Sequence, residues 1–153
     1  MRYAVITALA LCAVAAQALP QAVPKRKIPC KAPENASSCY WTRGRLAVYN
    51  GNPTWRIWKI GTKRILGVFS GPNSWVRDPE DNEHPEFPGN LDKIYEADYK
   101  RRVARKEWDA EFPETAFGDF QVCPLGPERK GEMQGVCIES AKNIVLGKYI
   151  PRY

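Results

Sequence analysis

Three short runs of β-branched and aromatic residues follow one another in the first half of the chain, and a tight turn separates each run from the next. The runs cover residues 45–49, 54–60 and 64–69. Asn50-Gly51 lies in the first turn and Gly61 in the second, and glycine tolerates the positive φ that tight hairpin turns need. Strands joined this closely predict an antiparallel meander rather than parallel strands with crossover helices.

The last third of the chain returns to the strand pattern. Residues 118–123 and 134–140 alternate apolar and polar positions, and residues 143–147 predict one more short strand. Between the two groups, residues 91–108 predict a helix with Asn90 as its N-cap, inside an insertion over residues 73–117. The predicted fold is mainly β: a small antiparallel β-barrel or sandwich of about six strands with one helical insertion.

The first 18 residues predict a secretory signal peptide. Arg2 precedes an apolar run, and Ala16-Gln17-Ala18 offers small side chains at the positions that a signal peptidase needs. The run is shorter than the ~20 apolar residues that cross a bilayer. We therefore expect a secreted or periplasmic chain, with an extended arm over residues 19–29 and a single domain over residues 30–153.

Four cysteines remain after the predicted cleavage: Cys30, Cys39, Cys123 and Cys137. An even number in an oxidising compartment predicts two disulfides. More than one pairing is open, and closeness in sequence favours Cys30–Cys39 with Cys123–Cys137. Because the chain has no CxxC pair and one histidine, we predict neither a metal site nor a cofactor. Asn35-Ala36-Ser37 matches a glycan acceptor, and Lys25-Arg26 a processing site, if the source is eukaryotic.

The charge of the chain is distributed unevenly. Residues 25–77 contain 11 basic residues and one acid, whereas residues 78–119 contain 13 acids and 6 basic residues. Either the two segments lie against each other and partly cancel their charges, or the first forms a basic face for an anionic partner.

The tryptophans are numerous for a domain of this size. Trp55 and Trp58 lie on opposite faces of one predicted strand, because strand side chains alternate. Either both are buried, or one is exposed; an exposed Trp beside Arg56 could stack on a sugar ring or contact a partner. The candidate ligand-binding residues are aromatic and basic side chains of the meander: Trp41, Arg43, Arg45, Tyr49, Arg56, Trp58 and Lys59, with Lys63 in the next turn and Arg64 at the start of the third strand.

Catalytic and metal motifs are weak by comparison. His84 has no GxSxG serine to act on, so the sequence predicts no His-based triad. The acidic loop over residues 78–86 departs from the EF-hand pattern at Glu83 and at Gly89. The acids between Asp78 and Glu114 would suit a hydrolase only if the fold brought two of them together in a cleft.

A set of short motifs runs through the first three predicted strands and the C-terminal pair: Gly44-Arg45-Leu46, Tyr49-Asn50-Gly51, Arg56-Ile57-Trp58, Gly61-Thr62, Leu66-Gly67-Val68 and residues 119–124 and 136–141. Together they resemble an unnamed family of small secreted proteins with no assigned activity. The resemblance implies a recurring exported domain and adds no site residue.

These features favour an exported, noncatalytic binding domain. Its ligand would be an anionic glycan, a lipid head group or a partner protein, and nucleic acid is disfavoured. The alternatives are a small secreted hydrolase that uses carboxylates of residues 78–114, and a structural envelope or matrix protein without a discrete ligand.

The predicted signal peptide gives a direct test. We expect the exported protein to begin at Leu19, because cleavage follows the small residue Ala18. N-terminal sequencing and intact-mass measurement check this. A product that retains Met1 would contradict the assignment of the leader.

Overall fold

The computed structural model describes residues 26–74, 78–110, 113 and 115–147. The predicted signal peptide, the first part of the predicted arm, Trp75 and Glu114 lie outside the described residues. The regular elements, in chain order, are β1 Tyr40–Val48, β2 Trp55–Lys59, β3 Ile65–Val68, α1 Gly89–Ala104, β4 Thr115–Pro124 and β5 Gln134–Gly147, with short 3-10 turns at Ala36–Ser38 and Pro79–Asn82.

The strands close into a barrel in the order β1-β2-β3-β5-β4, and β4 pairs back with β1. Neighbouring strands are antiparallel except β3 and β5, which pair in parallel. This order, with the helix between β3 and β4, is the topology of the OB-fold. The predicted mainly β fold with one helix and two disulfides is confirmed.

Five strands are described where the sequence pattern predicted about six. The two predicted C-terminal strands are one long strand, β5. Asn143, where the pattern breaks, has a left-handed φ of 54°. The pairing register shifts here, between Phe117/Val145 and Asp119/Lys142. A β-bulge therefore interrupts the alternation without ending the strand.

The core consists of the inward-facing side chains of all five strands. Its buried strand residues are Leu46, Ile57, Leu66, Val68, Ala116, Phe120, Val122, Val136, Ile138 and Ala141. On β1 and β2 these inward positions alternate with the outward positions that form the candidate site.

Gly44 lies in the middle of β1, where this strand pairs with Lys59 of β2 and with Gly118 of β4. A Cβ at position 44 would lie 2.4 Å from Ile57 Cγ2, and a Cβ at position 118 would lie 2.4 Å from Ile144 Cδ1. Side chains at these positions would overlap the core, so the paired glycines allow close approach of the strands.

Helix α1 differs in its bounds and in its N-cap from the prediction. Pro88 is the N-cap, and the predicted cap Asn90 lies inside the helix, where its side-chain amide donates a hydrogen bond to the Ala141 carbonyl. The buried positions of α1 are Leu91, Asp98 and Arg102. Two of these three are charged, which explains the imperfect apolar periodicity of the segment.

The disulfides join Cys30 to Cys137 and Cys39 to Cys123. The favoured pairing, Cys30–Cys39 with Cys123–Cys137, is wrong. Cys123 and Cys137 do lie opposite each other on β4 and β5, but each bonds to a cysteine that precedes β1. Closeness in sequence was a poor guide because the segment before β1 folds back onto this strand pair.

The start of the described chain lies against the barrel. Arg26 donates to the backbone carbonyls of Ile138, Ser70 and Glu86, at 2.6 Å for Ile138 and 2.7 Å for Glu86. The backbone N–H groups of Lys27 and Ile28 donate to the Glu86 carboxylate. Burial lowers the pKa of Arg26, and the nearby Glu86 partly opposes this.

Two disulfides are typical of an extracytoplasmic protein, because cytosolic thiols are kept reduced. Within the part of the chain that the structure describes, no helix has the length and apolar character needed to cross a bilayer.

The close approach at Gly44 predicts a large effect of a single methyl group. Gly44→Ala should lower the free energy of unfolding by ~1–3 kcal/mol, because the new Cβ overlaps the buried Ile57 side chain. Gly126→Ala is the control, since a Cβ there has no neighbour within 4 Å. Urea denaturation of both variants checks this, and equal midpoints would contradict the close packing of β1 on β2.

Candidate functional site

The outer face of β1 and β2 brings together four of the predicted binding residues. Leu46 and Ile57 point into the core as register partners, so the adjacent pair Arg45 and Trp58 points outward. Arg56 shares the outer face of β2, and Tyr49 follows the end of β1. We call this set the arginine–aromatic ladder: Trp58, Arg45, Tyr49 and Arg56.

Guanidinium groups and rings alternate along the ladder. The Arg45 Cζ lies 5.5 Å from the centroid of the Trp58 ring, and Arg45 Nη2 donates to the Tyr49 hydroxyl at 2.7 Å. The Arg56 Cζ lies 5.5 Å from the Tyr49 ring centroid. Each cation–π contact stabilises the arrangement by about 0.5–2 kcal/mol, so the four side chains hold one another in place.

Backbone carbonyls fix both ends of the ladder. Arg56 donates to the carbonyls of Pro53 at 2.9 Å and Asn50 at 3.2 Å, and the Trp58 indole N–H donates to the Thr62 carbonyl at 2.9 Å. Trp58 is nevertheless 38% exposed. The sequence left open whether both tryptophans of β2 are buried or one is exposed. Trp58 is the exposed one, while Trp55 packs edge-on against Phe87 and Tyr95.

Trp41 and Arg43 occupy the same outward row of β1, nearer its beginning. Trp41 is 44% exposed, with Lys142 Nζ 4.2 Å from its ring centroid. Arg43 lies 3.8 Å from the Asp119 carboxylate on β4. Asp119 also accepts a hydrogen bond from Asn143. An acid, Asp119 of β4, therefore lies beside this part of the row, whereas none of the four ladder residues is acidic.

The structure places Lys59 away from the other predicted residues. It shares the inward side of β2 with Ile57, and its Nζ lies 5.0 Å from the centroid of the Tyr40 ring. Burial raises the pKa of Tyr40. Lys63 and Arg64 lie between β2 and β3 and line a pocket of about 250 Å³ together with Ile65 and Met133.

Helix α1 borders a second pocket, of about 290 Å³, whose lining includes Tyr95, Asp98 and Arg102. Arg102 is buried and contacts Asp98 at 3.9 Å, Glu107 at 3.1 Å and Asp109 at 2.9 Å. Asp98 also bonds Arg101. The buried guanidinium and the surrounding carboxylates balance one another's charge. This arrangement is sufficient for a purely structural role.

Several acids of residues 78–86 have structural partners too. Asp81 is buried and accepts hydrogen bonds from the Ser70 N–H and the Ser74 hydroxyl. Asp78 caps the 3-10 turn by accepting from the Glu80 N–H. Burial, with a smaller contribution from Glu86, raises the pKa of Asp92. His84 is exposed.

The sequence interpretation missed two exposed side chains beside the ladder. Phe117, opposite Arg45 on β4, is 39% exposed, and Val145, opposite Phe117 on β5, is 65% exposed. Phe117 fell at the end of the predicted insertion. Extending the alternation of residues 118–123 back to Thr115 would have placed Phe117 on the outer face.

No protein-family model matches this chain, and no curated protein or solved structure is significantly similar to it. The resemblance to a family of small secreted proteins therefore stays a prediction.

Tyr95 in the α1 pocket gives a pH-dependent test. Its buried hydroxyl has no hydrogen-bond partner among the described residues, and burial raises the pKa of the phenol. Above pH ~10 the unfolded chain releases this proton while the folded chain keeps it, so stability falls by about 1.4 kcal/mol per pH unit until the raised pKa is reached. Tyr95→Phe should remove that loss.

Urea midpoints at pH 8 and pH 11 measure the difference. We expect the urea midpoint of Tyr95→Phe to match or exceed that of the parent at pH 8, because an unsatisfied hydroxyl is removed. At pH 11 the difference in midpoint should be larger, in favour of the variant. Tyr99→Phe, an exposed position on the same helix, is the control. Parallel pH profiles for the parent and Tyr95→Phe would contradict the burial of the phenol.

Proposed function

We propose that this protein is an exported, noncatalytic binding domain that binds an anionic glycan through the outer face of β1 and β2. The observation that carries the proposal is the arginine–aromatic ladder, in which Trp58 and Tyr49 alternate with the guanidinium groups of Arg45 and Arg56. Aromatic rings stack on sugar faces, and guanidinium groups pair with carboxylates or sulfates.

Preorganisation supports a binding role for the ladder. Hydrogen bonds to Asn50, Pro53 and Thr62 fix Arg56 and Trp58 before any ligand arrives. A ligand then does not have to order these side chains, which otherwise costs about 0.5–1.5 kcal/mol for each one immobilised. The OB-fold binds oligosaccharides and oligonucleotides on the face of its second and third strands, and β2, which carries Arg56 and Trp58, is one of these strands.

Export rests on the predicted signal peptide and on the two disulfides. A secreted or periplasmic domain meets acidic polysaccharides and anionic surfaces rather than the cytosolic pool of nucleic acid. This compartment is the reason to prefer a glycan over an oligonucleotide as ligand.

The acids of the α1 pocket do not support the hydrolase alternative. A two-carboxylate mechanism needs one acid kept protonated near neutral pH beside an ionised partner. In the α1 pocket Asp98 is paired with Arg101 and Arg102, and the hydrogen bond from Lys100 lowers the pKa of Glu96. Neither acid has the environment of a proton donor.

A glycan and lipid array on the mature chain tests the proposal. We expect retention of uronic-acid or sulfated glycans that weakens as salt rises, because ion pairs on an exposed face are screened. Retention on anionic lipid alone would overturn the glycan assignment. A lack of retention on every surface at low salt would overturn the binding role.

Two substitutions connect the array result to the ladder. Trp58→Ala and Arg45→Ala should each weaken binding to a retained glycan about tenfold, the scale of losing one well-packed contact. Trp108→Ala and Arg129→Ala are matched controls, since both residues are exposed outside the strands. Isothermal titration calorimetry measures the affinities, and equal losses in the ladder and control variants would count against the face.

A further inference from the structure

We infer that the ligand is a linear acidic polysaccharide that crosses the strands of the barrel, and that Phe117 of β4 binds it together with Trp58. This inference rests on the proposed function and adds the substrate class, the direction of the ligand and a binding residue. The surface concerned, which we call the cross-strand band, consists of Val145, Phe117, Arg45, Trp58 and Ile65.

The pairing register of the barrel places these five residues in one row. Val145 lies opposite Phe117, and Phe117 lies opposite Arg45. On its other side Arg45 lies opposite Trp58, which lies opposite Ile65. The neighbours one position along are Leu46, Ile57, Leu66 and Ala116, all buried in the core. The band therefore faces outward on every strand.

Arg45 lies in the band with an exposed aromatic ring on each side. Neighbouring strands are about 4.8 Å apart, so the β-carbons of Phe117 and Trp58 are separated by about 10 Å across β1. A chain-like ligand can contact both rings with separate sugar units while a carboxylate or sulfate between them pairs with Arg45. A small anion can use only the arginine.

The nearest charges differ between the cross-strand direction and the direction along β1. A ligand along β1 towards Trp41 would pass Arg43, whose charge is balanced in part by Asp119 at 3.8 Å. None of the five band residues is acidic. Past Ile65, the band reaches the pocket whose charged lining residues are Lys63, Arg64 and Glu132. Arg64 also pairs with Glu128 at 2.6 Å.

The test compares fragments of different length. Disaccharide and octasaccharide fragments of polygalacturonate and of heparin are titrated into the full mature protein and into Trp58→Ala, Phe117→Ala and Trp41→Ala. We expect Trp58→Ala to weaken both lengths about tenfold. Phe117→Ala should weaken the octasaccharide about tenfold and leave the disaccharide within about twofold of the parent, because only the long fragment reaches both rings.

Trp41→Ala is the matched control for direction, since Trp41 is a similarly exposed aromatic residue on the outer face. A selective loss of octasaccharide affinity in Trp41→Ala rather than in Phe117→Ala would overturn the cross-strand direction and place the ligand along β1. Phe117→Leu, which keeps an apolar side chain without a ring, supports the stacking role if it behaves as Phe117→Ala.

The same titrations separate this inference from the proposed function. If Trp58→Ala binds every fragment as the parent does, the proposed face itself is wrong. If Trp58→Ala weakens binding while Phe117→Ala does not at either length, only the cross-strand inference is wrong. A single-stranded DNA oligomer is the last probe, and tighter binding to it than to both octasaccharides would overturn the assignment of the ligand as a polysaccharide.

Discussion

Strand β1 pairs with β2 along one edge and with β4 along the other, and the rest of the barrel depends on this double pairing. Gly44 and Gly118 allow it, since a β-carbon at position 44 would overlap Ile57 of the core and one at position 118 would overlap the half-buried Ile144. With β1 held on both sides, its inward residue Leu46 joins the core and its outward residue Arg45 lies between Trp58 and Phe117. The packing of the core and the geometry of the outer face therefore have a common origin.

The disulfides attach the segment before β1 to strands β4 and β5. Cys30 and Cys39 bond to neighbouring positions of β5 and β4, and Arg26 donates hydrogen bonds to three backbone carbonyls nearby. Cross-links over 107 and 84 residues close long loops, which in the chain-entropy view restrict the unfolded chain most strongly. A barrel of this size gains stability from these links without enlarging its core.

The buried acids of the helical insertion and the arginines of the ladder have different described partners. In the helical insertion, acids such as Asp81 and Asp98 are buried and paired within that insertion or with Ser70 beside it. The described partners of the ladder arginines include Trp58, Tyr49 and backbone carbonyls. The two oppositely charged segments also meet, at Arg43 with Asp119 and at Arg26 beside Glu86.

The sequence by itself determined the strands of the meander, the presence of one helix, the involvement of all four cysteines in disulfides and all four residues of the ladder. These depend on local alternation, turn residues and residue type, which act over a few positions. The tertiary structure alone decided the disulfide pairing, the parallel contact of β3 with β5, the inward side of Lys59 and the position of Phe117 beside Arg45. Each of these depends on which distant strands become neighbours when the barrel closes, and periodicity along one strand contains no information about its partner in the sheet.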